Sequence, residues 1–116
     1  MTFGTYIRAR REALKSEDRT FSVRQVAKRI GVEPAYLSKI ERAEVAPPSE
    51  EKIRSLAVEL GDDADVLLAM AGKVSTDLQA IIRKRPQLFA DLIRQLRTMP
   101  DEAVLRIARD VRDGDW

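Results

Sequence analysis

Between Ser22 and Ile40 the sequence leaves room for only two short helices with almost nothing between them. Ser22 stands three residues before Gln25 and just ahead of the apolar set Val23, Val26, Ala27 and Ile30, the S-x-x-Q pattern of a capping box, so a helix is predicted to open there. Gly31 closes it after barely two and a half turns, because a residue without Cβ enters left-handed backbone at no steric cost. Val32 and Glu33 alone then precede Pro34, whose missing N–H does no harm in a first helical turn, and Tyr36, Leu37 and Ile40 give the next helix its apolar stripe. Two short helices crossing steeply through so tight a turn need a small residue where they touch, and Ala27 supplies it.

The flanking segments extend the same pattern. Phe3, Tyr6, Ile7 and Leu14 fall at helical spacing, predicting a first helix from about Thr2 to Lys15 that the polar run Ser16 to Thr20 breaks. Downstream, Ala46-Pro47-Pro48-Ser49 reads as a loop with Ser49 as cap for a helix from Glu50 to Leu60, buried through Ile53, Leu56, Ala57 and Leu60 and ended by Gly61. A fifth helix, about Ala64 to Ala71, carries Val66, Leu67, Leu68 and Met70. Gly72 to Thr76 reads as a hinge. Beyond it come a helix with Leu78, Ile81 and Ile82 interrupted at Pro86, a second with Leu88, Phe89, Leu92, Ile93 and Leu96, and a third opened by Pro100-Asp101-Glu102 with Val104, Leu105, Ile107, Ala108 and Val111. No strand-period alternation is visible, so the expected class is all-α: five helices in residues 1–72 and a helical extension in 73–116.

Composition narrows the chemistry. Hydrophobic residues make up 44% of the 116-residue chain and charged ones 34%, the balance of a folded protein. With no cysteine and no histidine, zinc sites of the finger type, disulfides and the usual nucleophile–base pairs are excluded, so neither an enzyme, a metal nor a cofactor is expected. No signal-like start and no long apolar run is present, which predicts a cytoplasmic chain without a membrane partner. Net charge is only +2, yet it is unevenly spread: residues 1–43 hold ten Lys or Arg against five Asp or Glu, while residues 44–72 hold two against seven. Such asymmetry turns one face toward phosphates and another away from them.

The stretch FSVRQVAKRIGVEPAYLSKIERAE, residues 21–44, resembles the helix-turn-helix of lambda-repressor-like, XRE-type regulators, and the likeness extends over about residues 2–72. It implies a DNA-binding transcriptional regulator, most simply a repressor. By that resemblance Ala35 and Lys39 match base-reading positions, with Pro34, Tyr36 and Ser38 beside them. Lysine donates to guanine O6 and N7, whereas alanine offers only apolar contact, as with a thymine methyl. Phosphate contacts are expected from Arg24, Gln25, Lys28 and Arg42 around the helix ends. Arg11 and Glu41 match a pair that ties the first helix to the end of the third, a structural role rather than a catalytic one.

Three departures from the family pattern stand out. Val23 occupies a place where relatives commonly carry a phosphate-contacting glutamine, so that contact is lost or shifts to Arg24. Ala43 replaces the usual glycine after the third helix, with an altered path into the next loop as the expectation. The Lys15 to Thr20 segment is about five residues longer than usual, and Arg19 within it is expected either to touch the DNA backbone or, as favoured here, to stay in solvent. In the extension, Leu88, Phe89, Leu92, Ile93, Leu96, Val104, Leu105 and Ile107 would leave an apolar patch on the order of several hundred Å² if uncovered. A homodimer is the economical cover, since it places two recognition helices on half-sites about 34 Å apart. The alternative is an antitoxin or controller protein whose terminal helices bind a toxin or protease, and a module that no longer reads DNA is disfavoured by the basic N-terminal third.

Overall fold

A computed structural model describes residues 2–114; the last two positions of the expected extension, Asp115 and Trp116, lie outside the described residues. Helices account for all the regular structure among them. Helix α1, Phe3–Lys15, starts where the Thr2 hydroxyl accepts the Thr5 amide, and it buries Phe3, Gly4, Ile7 and Arg11, a single stripe at three- and four-residue spacing. Then follow α2, Val23–Ile30, and α3, Pro34–Glu41. Helix α4, Glu50–Leu60, is capped by Ser49, and α5, Ala64–Met70, by Asp63, whose carboxylate accepts the Asp65 amide at 2.8 Å. Helices α6, Thr76–Lys84, α7, Pro86–Leu96, and α8, Asp101–Asp113, complete the order. None is long and apolar enough to cross a membrane.

One core joins α1 to α5. Val26, Ala27 and Ile30 meet Leu37 and Ile40 beneath the two short helices, and Ile53, Leu56, Ala57 and Leu60 form the opposite wall, all buried as the periodicity predicts. Of the apolar set expected in α5, Leu67 and Leu68 enter the core while Val66 and Met70 stay exposed, since a seven-residue helix offers only one narrow inward face. Gly4 sets the closest approach. A Cβ there would strike the Ile40 carbonyl oxygen and lie 3.0 Å from that of Glu41, so α1 rests directly on the backbone at the end of α3.

Four helices end in the same closure, in which the chain folds back and an amide bonds the carbonyl five residues upstream: Val32 to Ala27, Glu44 to Lys39, Asp62 to Ala57 and Lys73 to Leu68, each at 2.9 Å. Three of these closures put a glycine in the left-handed position. At the end of α3 the residue is Ala43, with φ 58°. The expected change of path therefore does not occur; alanine adopts the backbone glycine would take, at a cost of about 1 kcal/mol from Cβ crowding.

The chain divides into two units, residues 1–75 and 76–116. In the second, α6, α7 and α8 contain no buried residue. Leu88, Phe89, Leu92, Ile93, Leu105 and Ile107 are exposed, and Leu96 and Val104 are half-buried.

Two substitutions test this account by urea denaturation. Ala43→Gly is expected to stabilise the protein by about 1 kcal/mol by relieving the left-handed alanine. Gly4→Ala is expected to destabilise it by about 2 kcal/mol despite the better helix propensity of alanine, because the new methyl meets backbone that cannot yield. A Gly4→Ala midpoint at or above that of the parent would show that α1 and α3 are not held in this contact.

Candidate nucleic-acid interface

The second short helix is positioned from behind. Arg11 donates to both oxygens of Glu41, Nε to Oε2 at 2.7 Å and Nη2 to Oε1 at 2.9 Å, and its Nη1 donates to the Phe21 carbonyl at 3.1 Å. Both side chains are 4% exposed, and the hydrogen bonds to Glu41 hold the guanidinium above its already high ordinary pKa. One residue thereby fixes the end of α3 and the approach to α2. On the other side, the Lys52 ammonium donates to the Ile30 carbonyl at 2.9 Å, a cation at the negative end of α2. Arg29 pairs with Glu59 at 2.6 Å and lies over the Phe21 ring, 5.2 Å from its centroid. Asp62 accepts the Tyr6 hydroxyl at 2.9 Å, which pushes the phenol pKa up, and attracts Arg10 at 3.5 Å without a hydrogen bond to its buried Nε.

These pairs sort the cations of the basic third. Arg8, Arg10, Arg11, Arg29 and Arg42 each have a carboxylate partner, whereas Lys15, Arg19, Arg24, Lys28 and Lys39 have none among the described residues. Arg24 and Lys28 lie one turn apart on the exposed face of α2, with Gln25 beside them, and Lys39 lies one turn beyond Ala35 on α3. Lys15 and Arg19 flank the connection between α1 and α2, and both are exposed.

That connection corrects one expectation. The polar run does break α1, but Arg19–Phe21 form a 3₁₀ turn, capped by Asp18, which accepts from the Thr20 hydroxyl at 2.7 Å and amide at 2.9 Å. These bonds, the hydroxyl first, hold the Asp18 carboxyl below its ordinary pKa. The turn takes the Ser22 amide for the Arg19 carbonyl, so only half of the capping box forms: the Ser22 hydroxyl accepts the Gln25 amide at 3.2 Å, and among the described residues the Gln25 side chain makes no return bond. Gln25 is left exposed and uncommitted at the start of α2.

Of the expected base-reading residues, Ala35, Tyr36 and Lys39 are exposed, whereas Pro34 and Ser38 are half-buried. Glu33 provides no side-chain cap to α3, and the Ala35 amide has no acceptor among the described residues, leaving an unpaired donor in the first turn of the helix. Arg42 forks onto Glu44 at 2.9 and 3.2 Å. Those hydrogen bonds hold the Glu44 carboxyl below its ordinary pKa.

A family model described as a helix-turn-helix domain matches residues 2–70, the stretch that holds α1 to α5. The chain belongs to the helix-turn-helix domain family. No match was found among curated proteins or among solved structures. As a helix-turn-helix protein it is a DNA-binding regulator, and α2 and α3 are the two helices of the motif. Sequence reasoning missed three residues that position this motif: Gly4, Lys52 and Asp62. A glycine inside a strong helical pattern was the only local signal for the first; the other two act on partners far along the chain.

The buried pair is a structural device, so Arg11→Ala or Glu41→Ala is expected to cost about 3 kcal/mol by leaving a buried charge alone. Lys28→Ala and Lys39→Ala, both exposed, are expected within about 0.5 kcal/mol of the parent. Thermal melts that place all four variants together would remove the pair from this role.

Proposed function

We propose that this chain is a sequence-specific reader of duplex DNA that represses transcription by occupying an operator as a homodimer. What carries the reading is the division of cations: internal ion pairs hold half of those in the basic third, while Arg24, Lys28 and Lys39 stay unpaired and exposed on the two helices of the motif. Lys39, Ala35 and Tyr36 read base edges in the major groove, Lys39 as donor to guanine and Ala35 as apolar contact. Arg24, Gln25 and Lys28 hold phosphates beside the start of α2. Repression needs no further surface, because a bound protein excludes polymerase from the same DNA.

Dimerisation is supported by the second unit, whose three helices fully bury none of their side chains. Helices this short do not persist in water without tertiary packing. Residues 76–116 carry eight Lys or Arg against seven Asp or Glu, a near balance that suits a second copy better than a strongly charged partner. A two-fold pairing through Leu88, Phe89, Leu92, Ile93, Leu96, Val104, Leu105 and Ile107 presents two recognition helices to successive turns of the groove.

Binding isotherms on a selected site and a scrambled duplex separate the roles. Lys39→Ala is expected to cost about 1–3 kcal/mol on the selected site and little on scrambled DNA. Lys28→Ala is expected to weaken both alike and to lower the slope of log affinity against log salt by about one unit. If Lys39→Ala weakens both duplexes equally, its ammonium serves only the backbone. In sedimentation, Leu92→Glu is expected to convert the dimer to monomer, and an unchanged dimer would move the interface off α7.

A further inference from the structure

Beside the buried pair, α1, the start of α2 and the middle of α3 enclose an open cleft of about 260 Å³. We propose that this cleft seats one phosphodiester of the DNA backbone, gripped by Arg8 and Arg42 with the Ser38 hydroxyl as a third donor. The proposal rests on the DNA-binding reading above and adds Arg8, which neither the sequence nor the family match singled out, while moving Ser38 from base reading to backbone contact.

Three guanidinium groups and two carboxylates line the cleft. Glu41 is taken up by its two bonds to Arg11, which removes both from the balance. Glu12 bonds Arg8 at 3.3 Å and lies 3.9 Å from Arg11, while Arg42 is held by Glu44, which is not part of the lining. Arg8 and Arg42 have side chains 56% and 48% exposed, and exposed pairs of this kind contribute little, so both can turn to an anion without abandoning a buried partner. Ser38 is half-buried on the same wall and its hydroxyl makes no hydrogen bond among the described residues. Val23, the first residue of α2, completes the wall with a short apolar side chain and brings the positive end of that helix to the cleft. Forked donors and a hydroxyl around a small opening suit a tetrahedral anion. Continuity with α2 and α3 makes that anion a backbone phosphate rather than a free one.

The test is fluorescence anisotropy with labelled duplexes, one selected and one of mixed sequence, across a series of KCl concentrations. Arg8→Ala is expected to weaken both duplexes by the same several-fold factor and to lower the log–log salt slope by about 0.9, the loss of one phosphate contact. Ser38→Ala should likewise weaken both equally, and Glu12→Gln, which releases Arg8, should tighten both. Lys15→Ala, an unpaired cation on the same helix that does not line the cleft, controls for net charge. An Arg8→Ala slope equal to the parent's, or no lower than that of Lys15→Ala, overturns the phosphate seat while leaving the DNA-binding reading intact. A parent protein with no salt-dependent binding to either duplex overturns that reading, and the seat with it.

Discussion

Everything the motif can do depends on how an eight-residue helix is kept in place. A helix as short as α3 has too few internal hydrogen bonds to offset its own nucleation, so its direction must come from outside. Two contacts from α1 provide it. Gly4 lets the backbone of α1 rest on the carbonyls of Ile40 and Glu41, and further along the same stripe Arg11 holds the Glu41 carboxylate in a two-bond fork. The net free energy of such a buried pair is small, because desolvation cancels most of the attraction; its value is geometric, since a fork permits one orientation where a packed methyl permits several.

The same preference for forks explains how charge is divided. All five paired cations of the basic third are arginines, whereas three of the five unpaired ones are lysines. Arginine pre-organises several donors in a plane and suits tethers between helices, while lysine is a compact charge on a flexible stem that loses little by waiting in water. A modest overall charge of +2 therefore conceals a surface whose available cations are concentrated where two helices meet the solvent.

How much of this was legible in the sequence follows from the range of each interaction. Ser22, Gly31 and Pro34 act within a turn of themselves, and the limits of α2 and α3 could be read from them directly. The inward face of α4 was equally plain, because periodicity depends only on neighbours along one helix. Partners were not. Lys52 finds the Ile30 carbonyl, and Asp62 collects Tyr6 and Arg10 from the far end of the domain, contacts that no spacing rule encodes. The 3₁₀ turn hid inside a run of polar residues, and by claiming the Ser22 amide it cancelled half of a cap that the local pattern promised. Of the candidate site, the exposed members of α3 were readable as the outer face of a helix, but the cleft with Arg8 exists only because three helices converge.

Ala43 carries a consequence of a different kind. Alanine and glycine codons differ only at their second base, so the relaxed form of this turn lies a single point mutation away. The three comparable helix ends, at Gly31, Gly61 and Gly72, use the residue that the geometry favours. Natural selection acts on stability only until folding suffices for function. An alanine here places strain at the heel of α3 and leaves, within one nucleotide, a reserve of stability against other, damaging mutations.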